Sequence, residues 1–402
     1  MDEFALTLAG PGDVVVLKEE PDSDYVDYLT ALGWQQPQVL VPAASDPTRD
    51  VTEDALADGG LLEDLTGLRD QGALIVAHGV SDRVERLSRE CGLPLAAPAA
   101  DVCKHVNSKI YSRRLAERLG LRQPAGRWCD SLERWSQTLP WAREVLRGGG
   151  KVAVKDAFGV SGKGILQISE VPRLDQLDRM FTQRSTRRGD RRLGVVVEEW
   201  VAKSADLNYQ FTLARDGSVH LDFIKEALTE NGVHMGHLVP ARISAEVRDE
   251  IAAATVGMGQ TLAADGYYGV VGVDAMLDPD GGLYPLTEIN ARNNMSTYQE
   301  SLLELLPSSG VSALARHYPV VRPRPASFGA VRALLGDALL TSPDDGSGLL
   351  VNNFATVNSG ITAGGAGRLY GILVGPDAET VSALDKRVTE LLAQWQEDSA
   401  HE

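Results

Sequence analysis

Residues 148–168 read GGGKVAVKDAFGVSGKGILQI, two short apolar runs joined by a loop of glycine and cation. KVAVK alternates in the manner of a strand, GILQI resumes the alternation, and AFGVSGKG between them has no core-forming pattern. The stretch predicts a β-hairpin with a functional tip. Backbone N–H groups in a glycine-rich turn form a concavity for anions, and Lys155 and Lys163 add positive charge there. Phosphate suits such a tip. The pattern G-x-x-x-x-G-K-[ST] is not met, because Ala157 and Gly164 hold its first and last positions. The dinucleotide fingerprint fails too, since Gly148-x-Gly150-x-x-Ala153 precedes a strand where it must follow one. On these residues alone, a plain surface hairpin fits as well.

The chain around it has 402 residues, 43% apolar and 24% charged, which allows two or three globular domains. Its 39 basic and 56 acidic residues give a net charge of −17, which argues against general affinity for nucleic acid or an anionic membrane. Cys91, Cys103 and Cys129 lack paired metal spacing and read as reduced thiols in the core of a cytoplasmic protein. MDEFALTLAG is acidic where a signal peptide is basic, and no apolar run approaches the roughly 18 residues of a membrane span.

Residues 13–103 alternate strand-like runs (DVVVL, PQVLVP, GALIVAHG, LPLAAP) with helical ones (SDYVDYLTALG, SDRVERLSRECG), the pattern of a small open parallel sheet with covering helices. Its first strand-to-helix turn, LKEEPDSD, is acidic and glycine-free, so no dinucleotide site is expected there. VNSKIYSRRLAERLG predicts a helix with Lys109 in its first turn, where a lysine opposes the dipole and must be solvated or paired with an anion. A second helix lies around LERWSQTLPWAREVLR. RSTRRGDRRLG, with five arginines between 184 and 192, reads as a solvated loop or a functional one. VVVEEWV is a buried strand ending in two acids, and LNYQFTLA and VHLDFIKEAL follow as strands about the turn ARDGS. NGVHMGH (231–237) reads as a loop whose His234 and His237 are surface or structural groups, or face a substrate amine.

YGVVGVDAMLDPDGGLYPLTEIN (268–290) is a second hairpin. With the turn centred on Asp280, Val271, Val273, Ala275, Leu277, Leu283 and Ile289 face one way and Asp274, Glu288 and Asn290 the other. Two acids on one sheet surface repel unless a cation lies between them, and hard oxygen ligands suit magnesium; a solvated face is the plainer reading. From about 307, PSSGVSALARHYPVVRPRPASF reads as a connector. A small α+β unit closes the chain: a strand LLVNNFATVN, a loop SGITAGGAG, a strand RLYGILVG and the helix AETVSALDKRVTELLAQW, with a frayed tail.

In order and spacing, residues 107–297 resemble the ATP-grasp superfamily of carboxylate–amine ligases. The resemblance implies an α/β chain, α+β in parts: an N-terminal pre-ATP-grasp domain (1–106), an ATP-grasp domain (107–318, lid about 148–202) and a C-terminal α+β unit (319–402). It implies that Lys109 and Lys155 hold the phosphates of ATP, with Gly159, Ser161, Gly162, Lys163 and Gly164 forming the loop that closes over them. Glu198 then receives the adenine amino group, Glu199 and Val201 supply the backbone hinge, and Asp206 binds ribose. Lys225 reaches the γ-phosphate; Asp274, Glu288 and Asn290 hold one or two magnesium ions, with manganese as a substitute. Arg292 matches an arginine that stabilises an acyl-phosphate. The D-alanine ligases carry an arginine where this chain has Gly272, and no biotin-carboxylase bicarbonate signature is found. NGVHMGH is similar to a loop of carbamoyl-phosphate synthetase large subunits, although the duplicated halves of those proteins are missing. NNFATVN and GRLYGILV resemble the stand-alone pheganomycin-type peptide ligases of natural-product and antibiotic biosynthesis.

The activity so implied is amide or peptide bond formation through an acyl-phosphate, with Arg292 and Lys225 catalytic and ADP and phosphate released. The substrates would be a small carboxylate and an amine, an amino acid or peptide, with no nucleic acid or membrane partner; a homodimer is left open. A non-catalytic ATP-binding regulatory module, or an ATP-grasp enzyme using ammonia or bicarbonate, stands as the alternative.

Overall fold

The computed structural model describes residues 1–159, 164–230, 233–306, 310–362 and 365–400. The chain divides into two compact units, one of Met1–Ala96, Met235–Pro240 and Asn293–Glu402, the other of Ala97–His234 and Ala241–Arg292.

In the second unit the quoted hairpin is realised as strands Val152–Asp156 and Ile165–Ile168, with Val152 opposite Ile168 and Lys155 opposite Ile165. Its sheet extends further, in the order Gly126–Ser131, Arg192–Glu199, Val152–Asp156, Ile165–Ile168, all antiparallel. Helices Leu132–Arg147 and Val171–Arg188 bury Trp135, Leu139, Leu174 and Leu177 against Val152, Val154, Val195 and Val197. Each such side chain taken from water stabilises by about 1.5–3 kcal/mol. A Cβ on Gly126 would stand 2.3 Å from the carbonyl oxygen of Val197, so only glycine lets the edge strand approach there. The arginine run is not a loop throughout: Arg184, Arg187 and Arg188 belong to the helix, which stops at Gly189 with φ 63°. Basic side chains in a last turn complement the helix dipole, which favours carrying the helix that far.

The other sheet of this unit sets Leu283–Asn290, Gly269–Leu277, Ala205–Leu213 and Val219–Glu230 side by side, each antiparallel to the next. Val271, Val273, Ala275, Leu277, Leu283 and Ile289 are all buried, as their alternation predicts. Helices Lys109–Leu119 and Ala245–Ala264 pack on this sheet.

In the first unit, Val14–Val16 and Gln38–Leu40 pair in parallel, with helices Ser23–Ala31 and Asp82–Cys91 among those around them. GALIVAHG and LPLAAP contribute only the bridge of Ile75 to Leu95, because Pro94 and Pro98 have no N–H to extend it. Two of the four expected strands therefore shrink to a contact. The supposed connector contains the nine-residue strand Ser312–Val320, paired along its length with Gly367–Gly375 and at Ala313–Arg316 with Gly236–Val239. NGVHMGH is likewise strand from Val233 onward, in Val233–Val239. His237 is buried and its ring bonds Gln299 and Ser296, a structural role; Asn231, Gly232 and the His234 side chain lie outside the described residues. The strand Gly348–Asn353 ends where Asn353 caps helix Ala355–Thr362 by accepting from the Thr356 N–H and hydroxyl, so FATVN is not strand. Helix Ala378–Ala400 runs past Trp395, where fraying was expected. Among the described residues no helix is long and apolar enough to cross a membrane. All three cysteines are buried and free.

Glu3 is buried at the start of helix Ala355–Thr362, accepting from the Phe354 and Ala355 N–H groups. Burial nevertheless raises its pKa from 4.5 to about 7. A carboxyl raised in the folded state favours folding while protonated, and that contribution is lost as pH rises from the unfolded value through the folded one. The loss is roughly 3 kcal/mol between pH 4.5 and 7.5. Urea unfolding at pH 5 and pH 8 should show Glu3→Gln gaining about that much relative to the parent protein as pH rises. Parallel pH responses of the two proteins would contradict this account of Glu3.

Candidate active site

Four directly opposed residues cross the second sheet in one row: Lys225 faces Asn208, Asn208 faces Asp274, and Asp274 faces Glu288. Residues paired this way project to the same face. Asn290 lies on that face too, opposite Gly272. The register is not that of a plain hairpin. Near the turn Met276 pairs with Tyr284, but Asp274 pairs with Glu288, so the second strand spends two extra residues between those pairs. Pro285 lies in that interval and has no N–H for the ladder, which is where an irregularity is expected.

The row is tightly wired. Asn208 Nδ2 donates to Asp274 Oδ1 at 2.9 Å and Asn290 Nδ2 to Asp274 Oδ2 at 3.3 Å. Lys109 Nζ donates to Glu288 Oε1 at 2.7 Å and to the Gly159 carbonyl at 2.6 Å. Lys109 is 5% exposed, so the anion-paired reading of this first-turn lysine is the one realised. Burial and the facing Asp274 push the Glu288 carboxyl up, while Lys109 pulls it back. Burial raises Asp274 as well, against the two carboxamide bonds. Lys225 is fully buried, its ammonium 4.2 Å from the centre of the Phe223 ring.

A second network ties the glycine-loop sheet to helix Lys109–Leu119. Glu198 Oε2 meets Lys155 Nζ at 2.5 Å, and Oε1 meets Arg113 Nη1 at 3.0 Å, with Arg113 also donating to the Pro124 carbonyl. Glu199 and Val201 lie beyond it; the Glu199 N–H donates to the Ala125 carbonyl. Asp206, two residues from Asn208, accepts from Lys203 at 2.5 Å and from Thr229 at 3.0 Å. Gly159 and Gly164 bound the loop, Gly164 with φ 91°, whereas Ser161, Gly162 and Lys163 lie outside the described residues.

Alternation would set Arg292 on the face of Glu288 and Asn290 if the strand continued. The strand stops at Asn290, because the side chain of Asn107 takes the Ala291 N–H and donates to the Ala291 carbonyl in place of a neighbour. Arg292 instead folds back, its N–H on the Asn290 carbonyl and its guanidinium 3.2 Å from Asn290 Oδ1. Two members of these networks are absent from the sequence-based expectations. Arg113 stands one helical turn from Lys109, a spacing that puts both on one helix face. Asn208 belongs to the polar alternation Asp206, Asn208, Gln210, Thr212, which marks a polar strand face.

Among the described residues no group of three or more His, Cys, Asp or Glu side chains gathers, so a metal reading rests on Asp274, Glu288 and the Asn290 carboxamide. Two facing carboxylates, both pushed up by burial, are the donor chemistry that a hard divalent cation fits.

Residues 1–93 match the family described as the Pre ATP-grasp domain. The chain is similar over its length to N5-carboxyaminoimidazole ribonucleotide synthetase of Thermus thermophilus, with TM-score 0.56, 16% identity, and coverage of 97% of this chain and 96% of that one. It is also similar to a biotin carboxylase of Campylobacter jejuni solved as a β,γ-ATP complex, with TM-score 0.55, 13% identity, and coverage of 90% and 81%. The chain therefore has the ATP-grasp fold of these structures, and its residues 1–93 match a pre-ATP-grasp domain. Among curated proteins it is 30% identical over 305 residues to the [butirosin acyl-carrier protein]–L-glutamate ligase of Niallia circulans, a match covering 74% of this chain. The match spans 65% of that relative's length.

The buried Arg113–Glu198–Lys155 network gives a stability test. Arg113→Met leaves a buried carboxylate with one partner and should cost about 3–5 kcal/mol, read as a lower urea midpoint. Adding Glu198→Gln should return part of the loss, and an Arg113→Met protein with an unchanged midpoint would show that the network contributes nothing.

Proposed function

We propose that this protein is an ATP-dependent carboxylate–amine ligase, forming an amide or peptide bond through an acyl-phosphate and releasing ADP and phosphate. The observation that carries the reading is the row of Lys225, Asn208, Asp274 and Glu288, with Lys109 reaching Glu288 and the Gly159 carbonyl from its helix. The relative from Niallia circulans, named as a ligase of L-glutamate and a carrier protein, supports it, as do the fold and the pre-ATP-grasp match of residues 1–93. In this reading the substrates are a carboxylate and an amine, one an amino acid or peptide and the other presented by a carrier protein, in antibiotic or related peptide biosynthesis. The three free, buried cysteines suit a reducing cytoplasm.

Lys109, Lys155 and Lys225 hold the phosphates and offset charge that develops as the γ-phosphoryl moves to the carboxylate. Gly159 to Gly164 forms the lid that keeps water from the acyl-phosphate. Glu198 fixes Lys155, and each of its oxygens, now holding one partner, keeps a lone pair with which to accept the adenine amino group. Backbone at Glu199 and Val201 lines the adenine, and Asp206 binds ribose. Asp274, Glu288 and Asn290 would hold magnesium, with manganese as substitute, and the metal would supply charge neutralisation between phosphate groups. Arg292 grips the reacting carboxyl through paired hydrogen bonds and then stabilises the oxyanion formed on amine attack.

Incubating purified protein with magnesium, ATP and mixtures of amino acids and short peptides should release ADP and phosphate in step with an amide product found by mass spectrometry. AMP and pyrophosphate as products would overturn the reading. Glu288→Gln should nearly abolish turnover while leaving the circular dichroism spectrum unchanged. Arg292→Ala should bind ATP normally yet ligate about 100- to 1,000-fold more slowly, the scale of losing one oxyanion donor. Only partial recovery is expected in Arg292→Lys, since an ammonium lacks the planar fork. An Arg292→Ala protein whose sole defect is weaker ATP binding would remove Arg292 from the chemistry.

A further inference from the structure

The arginine run has no part in the chemistry above, yet Arg184, Arg187 and Arg188 share one side of a helix. Arg184, Arg187 and Arg188 lie toward the end of helix Val171–Arg188, and Arg191 and Arg192 follow it. All five are exposed, the Arg192 side chain to 89%. Residues 184–192 hold these five arginines against the single acid Asp190, a local +4 in a chain of −17. Asp190 engages Arg192 at 3.0 Å. Met180, 53% exposed, sits one helical turn before Arg184 and adds an apolar contact to the ridge.

The basic surface continues past the run. Arg192 pairs with Ser131 on the edge strand, and the Arg191 carbonyl accepts from the Leu132 N–H at the head of the next helix. Arg134 of that helix stacks 3.6 Å over the Trp128 ring, beside a cleft of about 350 Å³ lined in part by Arg127, Trp128 and Trp141. The acids here include Asp130, 3.5 Å from Arg134, Glu117, 3.5 Å from Arg113, and the exposed Glu133 beside Arg134. Arginine and tryptophan together are the composition of protein-binding surfaces.

Folding does not account for this crowding. The helix dipole favours Arg187 and Arg188 in the last turn, but not Arg184 a turn earlier, nor Arg191 and Arg192 beyond the helix. We propose that the ridge is the docking surface for an acidic protein domain; that this domain carries one of the two substrates rests on the ligase reading above. A folded acidic partner presents its carboxylates over a limited area, within the Debye length of about 8 Å, and so meets the arginines without the chain's other acids. A nucleic acid fits less well, because its line of phosphates runs past the ridge onto surface of its own sign. Guanidinium groups match carboxylates through paired hydrogen bonds, which makes such docking oriented as well as attractive.

The test uses the full-length protein and a short fluorescein-labelled poly-L-glutamate that spans no more than the ridge, with a labelled single-stranded RNA several times longer as comparator. Anisotropy should show poly-L-glutamate bound and progressively released as salt is raised, and the triple variant Arg184→Glu/Arg187→Glu/Arg188→Glu should bind at least about tenfold more weakly. The matched variant Arg69→Glu/Arg86→Glu/Arg89→Glu, also on exposed side chains, should keep parental affinity. ADP release with free small substrates should be unchanged in the ridge variant. Parental affinity in the ridge variant, equal loss in the matched variant, or RNA bound as tightly as poly-L-glutamate would each overturn the proposal. Ridge-dependent binding in a protein that releases no ADP would support docking and remove the ligase reading; ADP release with ridge-independent binding would do the reverse.

Discussion

Asp274 and Glu288 stand directly opposite each other on neighbouring strands, and much of the candidate site answers that one repulsion. Like charges facing across a ladder destabilise it, and burial adds to the cost of each. The structure offsets this from three directions: Asn208 and Asn290 donate to Asp274, and Lys109 donates to Glu288. The dependence is mutual. A nearly buried lysine in the first turn of a helix faces both desolvation and the positive end of the dipole, and Glu288 offsets both. Removing either charge would leave the other buried without its partner, which costs more than the pair is worth intact.

The face of each residue in this hairpin was legible because side chains alternate with period two, a property that a shift of two residues leaves intact. The partner was not. A register centred on Asp280 sets Asp274 opposite Leu286, and only the two extra residues around Pro285 bring it opposite Glu288. The signal was present, since a proline inside a strand marks an irregularity, but its size depends on how the flanking strands pack. The same contrast runs through the site. Polar alternation in Ala205–Leu213 makes Asn208 readable as a face, while its bond to Asp274 follows only from strand order, which no local pattern encodes.

Elsewhere the failures have a common cause, the override of local composition by tertiary pairing. Prolines made 307–328 look like a connector, yet Ser312–Val320 has strands on both sides of it, and the paired backbone outweighs the weak propensity of SALARHYPV. Prolines near Leu95 act in the opposite sense, cutting an expected strand to a bridge. The arginines up to Arg188 read as loop because charge clusters usually are, but Leu174 and Leu177 anchor the helix in its earlier turns and its last turn welcomes cations. In each case the residues named the element's chemistry before they named its shape.

One helix joins the two halves of the candidate site. Lys109 and Arg113, one turn apart, reach Glu288 on one sheet and Glu198 on the other, and Glu198 holds Lys155 beside the glycine loop. Two lysines assigned to phosphate are thus each clamped by a glutamate. Under the ligase reading, a triphosphate arriving at Lys109 and Lys155 exchanges carboxylate for phosphate oxygens at each lysine. The exchange leaves Glu288 facing Asp274 with its main counter-charge withdrawn, which strengthens the preference of that pair for a divalent cation. It also relaxes the grip of Glu198 on the strand next to the loop. Binding of nucleotide and of metal would therefore be coupled through charge alone, and the coupling would run through a helix whose own dipole already favours an anion at Lys109.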